Sequence, residues 1–165
     1  MKKVLLFVAI ALMLAVPSAQ AETEVNLIAD GRETAAVVGT VTISNTAAYL
    51  YVTFDIDTVN TAWEMTETHL GIDGGIIKNR SGNPKVGKFT AGGYPGGVDH
   101  DPAVDAYTYT ISLEDLGVNV GDTIDIAAHT AIEYVEAIDE DDGYPDQPLV
   151  DDILHEESAW GDGEP

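Results

Sequence analysis

Two histidines stand in segments that alternate like strands, each with an acid two or four positions away. His69 shares its face with Glu67, and His129 shares its face with Glu133. Imidazole and carboxylate are the ligand set of zinc and other transition metals. If the two strands are neighbours, His69 and His129 form a metal site. If they are not, each histidine is a half-buried side chain hydrogen-bonded to a carboxylate or to backbone. A second candidate is the acidic stretch around Gly143, with Asp139, Asp141, Asp142 and Asp146. Calcium takes six to eight oxygen ligands, and carboxylates on a glycine turn suit it. The EF-hand spacing is not met: placing Gly143 at loop position six puts Ile138 at position one, where Asp is required. Asp99, Asp101 and Asp105 make a second acidic group. Tyr94 lies in a Gly/Pro-rich loop and offers a ring for stacking on a sugar.

Other chemistries lack their residues. His155-Glu156-Glu157-Ser158-Ala159 begins like a zincin helix, but its fifth position is alanine instead of the second histidine. There is no G-x-S-x-G elbow and no phosphate-binding glycine loop. The chain has no cysteine, which removes disulfides, thiolate ligands and a thiol nucleophile. No assigned catalytic residue emerges, no cofactor is required, and calcium is the one ion the acidic loop would take.

These residues need elements to hold them. Lys2 and Lys3 precede an apolar run from Val4 to Val16, followed by Pro17-Ser18 and Ala19-Gln20-Ala21. That is the layout of a secretory signal peptide. The apolar run is shorter than the roughly 20 residues of a membrane helix. The expected organisation is a signal peptide over residues 1–21 and one domain over residues 22–165, exported to the cell surface or beyond it, with no membrane span in the mature part. Cleavage would leave five cations against 29 acids, a net charge of −24. Nucleic acid and anionic membrane are poor partners for such a chain. Four of the five cations, Lys78, Arg80, Lys85 and Lys88, fall within eleven residues, and no Lys or Arg follows Lys88.

The chain from Glu22 onward reads as strands. Val41 and Ile43 alternate with Thr40, Thr42 and Ser44. After an Asn45-Thr46 turn, Leu50, Val52, Phe54 and Ile56 alternate with Tyr49, Tyr51, Thr53 and Asp55. This period-two pattern predicts a hairpin. Residues 62–72 and 123–135 read as further strands, the second with Ile124, Ile126, Ala128, Ile132 and Tyr134 on one face. Tyr107, Tyr109, Ile111 and Leu113 make another stripe, ending in one helical turn before Gly117. Residues 73–102 read as a long Gly/Pro loop, and residues 137–165 as an irregular acidic tail. Six or seven short strands predict an all-β antiparallel sandwich, immunoglobulin-like or jelly-roll-like.

Several stretches taken in order carry a resemblance: Glu67-Thr68-His69-Leu70, Asn79-Arg80-Ser81-Gly82-Asn83-Pro84, Tyr107-Thr108-Tyr109-Thr110-Ile111, Ile126-Ala127-Ala128-His129, and Glu157-Ser158-Ala159-Trp160-Gly161. Together they resemble an uncharacterised β-rich module of secreted and cell-surface proteins of bacteria and archaea, over Val25 to Gly163. The resemblance implies a module with no assigned catalytic activity. Proteins with this pattern continue past Ala-Trp-Gly with a further aromatic strand, which implies an open C-terminal edge here. The expected function is a non-catalytic structural or interaction module whose partners are other surface or extracellular proteins or further copies of itself. The alternatives are a calcium- or carbohydrate-binding module and a metal-dependent enzyme using His69 and His129.

Overall fold

The computed structural model describes residues 9–10, 22–29, 36–59, 61–119, 121–135 and 154–162. They form antiparallel sheets packed together, the β-sandwich expected from the sequence. In chain order the strands are β1 (Ala9–Ile10), β2 (Glu22–Ala29), β3 (Ala36–Asn45), β4 (Tyr49–Ile56), β5 (Trp63–Ile72), β6 (Thr90–Ala91), β7 (Tyr94–Pro95), β8 (Gly97–Val104), β9 (Ala106–Ser112), β10 (Ile124–Val135) and β11 (Leu154–Asp162). The helix α1 is one turn, Leu113–Leu116. The main path of pairing runs β8-β5-β10-β11-β2-β3-β4-β9. The short β1 pairs off this path with the start of β10, and β6 pairs with β7 separately.

Alternation decides which face is buried. Leu50, Val52, Phe54 and Ile56 of β4 pack inward with Val41 and Ile43 of β3, Leu27 of β2 and Ile124, Ile126, Ala128 and Ile132 of β10. The expected β3–β4 hairpin is present. Thr46 turns it, its hydroxyl accepting from the backbone N–H of Tyr49 at 3.1 Å. The helical turn before Gly117 is present too. The Ser112 hydroxyl accepts from the Asp115 N–H at 3.3 Å, and Gly117 at φ 68° supplies the left-handed residue that ends it.

One run of chain closes the sandwich. β8 pairs with β5 at one end of the path, and β9 pairs with β4 at the other. Asp105 alone separates β8 from β9, and its carbonyl accepts from the Ile56 N–H at 2.8 Å. A strand that bends and changes sheets makes such a corner.

Three expectations need correction. The tail beyond residue 137 is not irregular throughout, because Leu154–Asp162 is a strand. That strand lies inside the path, paired to β10 on one side and to β2 on the other, so it is not an open edge. The loop expected over residues 73–102 ends earlier, because β8 begins at Gly97.

Opposite the core, the outer face of β2-β3-β4-β9 carries hydroxyl side chains in register. Thr42 pairs with Glu24 and Thr53, and Thr53 with Thr108. One step along, Ser44 pairs with Glu22 and Tyr51, and Tyr51 with Thr110.

Candidate functional site

Strand order places His69 and His129 directly opposite each other, on β5 and β10. Their ring centroids are 5.5 Å apart. A bulge decides which way His69 points, and the alternation of β10 turns His129 to the same side. Between Met65 and Glu67, Thr66 is an extra residue relative to β10, so Met65 and then Thr68, Leu70 and Ile72 are buried. Glu67 and His69 therefore lie on the outer face. His69 Nε2 sits 3.0 Å from Glu67 Oε2. Its Nδ1 is buried with no hydrogen-bond partner. The Nδ1–Cε1 edge leans over Gly97 of β8, where a Cβ would come within 2.9 Å of Nδ1. Gly97 is thus the seat of the His69 ring.

That orientation bears on metal binding. β8 lies on the opposite side of β5 from β10, so Nδ1 faces away from His129, while Nε2 is engaged by Glu67. The two rings meet, with the His69 nitrogens placed over Gly97 and against Glu67. Glu133 stands across from Glu64 in the register and is not part of the pair. Among the described residues no group of three or more His, Asp or Glu is placed to hold a metal ion. His129 is buried, and desolvation, helped by the neighbouring His69, lowers its pKa to about 3.

A second polar cluster lies on the core side, and sequence reasoning missed it. The Tyr109 hydroxyl of β9 donates to the carbonyls of Gly96, at 2.8 Å, and Thr68, at 2.9 Å. The Thr68 hydroxyl lies 3.1 Å from Tyr109 Oη and 3.0 Å from His100 Nε2. All these contacts are satisfied together in one arrangement: His100 Nε2–H donates to Thr68, and Thr68 donates to Tyr109. Burial pushes the Tyr109 phenol up to about 12 and lowers the His100 pKa, against the opposing charge of Asp99. The cluster ties β9 to β5 and so holds the closing run in place. Tyr109→Phe strips two buried carbonyls of a shared donor. It is expected to cost about 1–3 kcal/mol in denaturant unfolding. The available signal was the Tyr107/Tyr109 stripe beside a buried Thr68, but only strand order shows that they meet.

The insertion between β5 and β8 carries the remaining candidates. Phe89 is buried against Gly71, where a Cβ would meet the ring at 3.0 Å. From this anchor two small hairpins project. In the first, Lys78 pairs with Pro84, and Asn79 Oδ1 accepts from the N–H groups of Ser81 and Asn83 at 2.8 and 3.0 Å. Lys78, Arg80, Lys85 and Lys88 are all exposed on or beside it. In the second, Gly92 and Gly93 both have positive φ, the geometry of a tight hairpin turn. Tyr94 follows and is 62% exposed. Asp99 and Asp101 are exposed on β8, and Asp105 is exposed at the corner. The calcium candidates Asp139, Asp141, Asp142 and Asp146 lie outside the described residues. No described helix is long and apolar enough to cross a membrane.

Comparison with protein-family models, with curated proteins and with solved structures gives no match.

Proposed function

We propose that this chain is an exported, non-catalytic interaction module that associates with further copies of itself through the insertion between β5 and β8. The observation that carries this reading is the separation of charge. Four cations stand exposed on and beside one braced hairpin, and among the described residues no other Lys or Arg occurs. Complementary charge sets which faces meet and in what register. The acidic surface of a second copy is the partner that this hairpin fits. Salt decides the range of each term. At about 0.1 M the Debye length is about 10 Å, so repulsion between whole molecules is screened while direct contacts persist. His69 is engaged by Glu67, and Tyr109, Thr68 and His100 form one hydrogen-bonded brace inside the fold, an arrangement in keeping with a binding role.

Sedimentation velocity of residues 22–165 at about 0.15 M salt tests this. The expected result is concentration-dependent association, weakened at least tenfold by the double change Lys85→Glu and Lys88→Glu. A wild-type protein that stays monomeric at millimolar concentration would sink the proposal.

A further inference from the structure

The outer face of β2-β3-β4-β9 is built from strands other than the insertion, and its chemistry is different. We infer that this face is a binding platform for an uncharged, polyhydroxylated chain, that is, a neutral glycan. Three observations support this ligand class. First, the hydroxyls are ordered in two dimensions. Neighbouring strands are about 4.8 Å apart, and same-face residues along a strand are about 6.8 Å apart. Thr42, Thr53 and Thr108 make one row, and Ser44, Tyr51 and Thr110 the next. Thr53 and Thr108 are hydrogen-bonded to each other at 2.9 Å while exposed. Part of the array is therefore fixed before any ligand arrives, which lowers the ordering cost of binding.

Second, the platform has aromatic rings where a sugar's apolar face needs them. Tyr49 and Tyr51 follow each other on the outer face of β4, with centroids 6.4 Å apart and planes tilted by 48°. Tyr49 is 45% exposed. An amphipathic ring exposed beside hydroxyl groups suits a pyranose, which is apolar on its faces and polar at its rim. The tilt suits a chain that twists from one sugar to the next.

Third, charge narrows the class. β2, β3, β4 and β9 contain no Lys or Arg, and the acids on this face are Glu22, Glu24 and Asp55. A polyanionic glycan would be repelled. Carboxylates accept hydrogen bonds from neutral sugar hydroxyls, so they assist an uncharged ligand.

Affinity electrophoresis of residues 22–165 in gels containing hydroxyethylcellulose, xylan or mannan tests the inference, with polyglucuronate as the anionic control. The expected result is retardation by at least one neutral polymer, unchanged between 0.05 and 0.5 M salt, weakened about tenfold by Tyr51→Ala and by Tyr49→Ala. Tyr94→Ala and the Lys85/Lys88 charge reversal should leave it unchanged, which separates this face from the insertion. Both tyrosine variants are surface changes, and their unfolding midpoints check that the fold is intact. Absence of retardation by all three neutral polymers would overturn the inference. So would retardation by polyglucuronate alone, or retardation indifferent to both tyrosine changes. Loss of self-association in Tyr51→Ala without loss of glycan binding would also overturn it, by making the face a protein interface.

Discussion

Gly96→Ala is expected to destabilise the fold by about 3 kcal/mol or more, although it adds one methyl group. The new Cβ would penetrate the carbonyl oxygen of Leu70 and would also lie 3.0 Å from the carbonyl oxygen of Phe89. Both obstacles are backbone, so no rotamer relieves them. Nor can Gly96 withdraw. Its carbonyl accepts from the Leu70 N–H at 2.7 Å, and its own N–H donates to Phe89 at 2.8 Å. The same carbonyl takes the Tyr109 hydroxyl that ties β9 across. Moving Gly96 therefore strains the anchor of the insertion and the closure of the sandwich together. Overpacking of this kind costs about 1–3 kcal/mol where side chains can adjust, and more where they cannot. Gly87→Ala is the control: nothing lies within 4 Å of its Cβ position, and its expected change is within about 0.5 kcal/mol. Denaturant midpoints of the two variants check the contrast. Equal midpoints would show that the Gly96 backbone is freer than its contacts imply.

The second large effect is acid sensitivity through His129. An unfolded histidine titrates near 6.5, whereas burial and the adjacent His69 lower His129 to about 3. As pH falls through this window, the unfolded chain takes up a proton that the folded chain refuses. Stability is therefore lost on acidification, with a slope of up to about 1.4 kcal/mol per pH unit from this one group. Between pH 7 and pH 5 the loss approaches about 2 kcal/mol. His100, also lowered by burial, acts in the same direction. The carboxylates pull the other way, because acidification reduces the self-repulsion of a chain with a net charge of −22. The informative quantity is thus the difference between wild type and His129→Gln. The variant is expected to lose stability less steeply from pH 7 to pH 5 in thermal or urea unfolding. Parallel slopes would mean that His129 protonates freely in the folded state.

Some of this architecture could be read directly from residue order. The alternation of Leu50, Val52, Phe54 and Ile56 marks a half-buried strand, because side chains on an extended backbone point to opposite faces in turn. Ser112 and Gly117 frame the single helical turn by capping it at both ends. β5 resisted the same reading because Thr66 interrupts its period, so neither of its sides is uniformly apolar in sequence. β8 resisted it because Gly97, Pro102 and the two acids Asp99 and Asp101 mask the alternation of Val98 and His100 with exposed residues. β11 was hidden by its acids, and its place between β10 and β2 follows from pairings with residues 19 or more positions away.

The candidate site divides the same way. Residue types alone pointed to His69, His129, Tyr94 and the cations of residues 78–88, because imidazole, phenol and ammonium chemistry belongs to the side chain wherever it lies. Their relations belong to the tertiary structure. Strand order set the two histidines face to face, and the bulge at Thr66 turned His69 outward to join His129. The missing side chain at Gly97 let the His69 ring lean away from His129. The closing run through Asp105 brought Tyr109 to Thr68 and Gly96, and strand register assembled the hydroxyl face. The sequence by itself determined a β-rich, strongly acidic chain with its cations gathered in one stretch, since alternation and charge are local properties. Only the fold decided which of those residues meet, because strand pairing joins distant segments and a one-residue shift reverses the face of every side chain that follows.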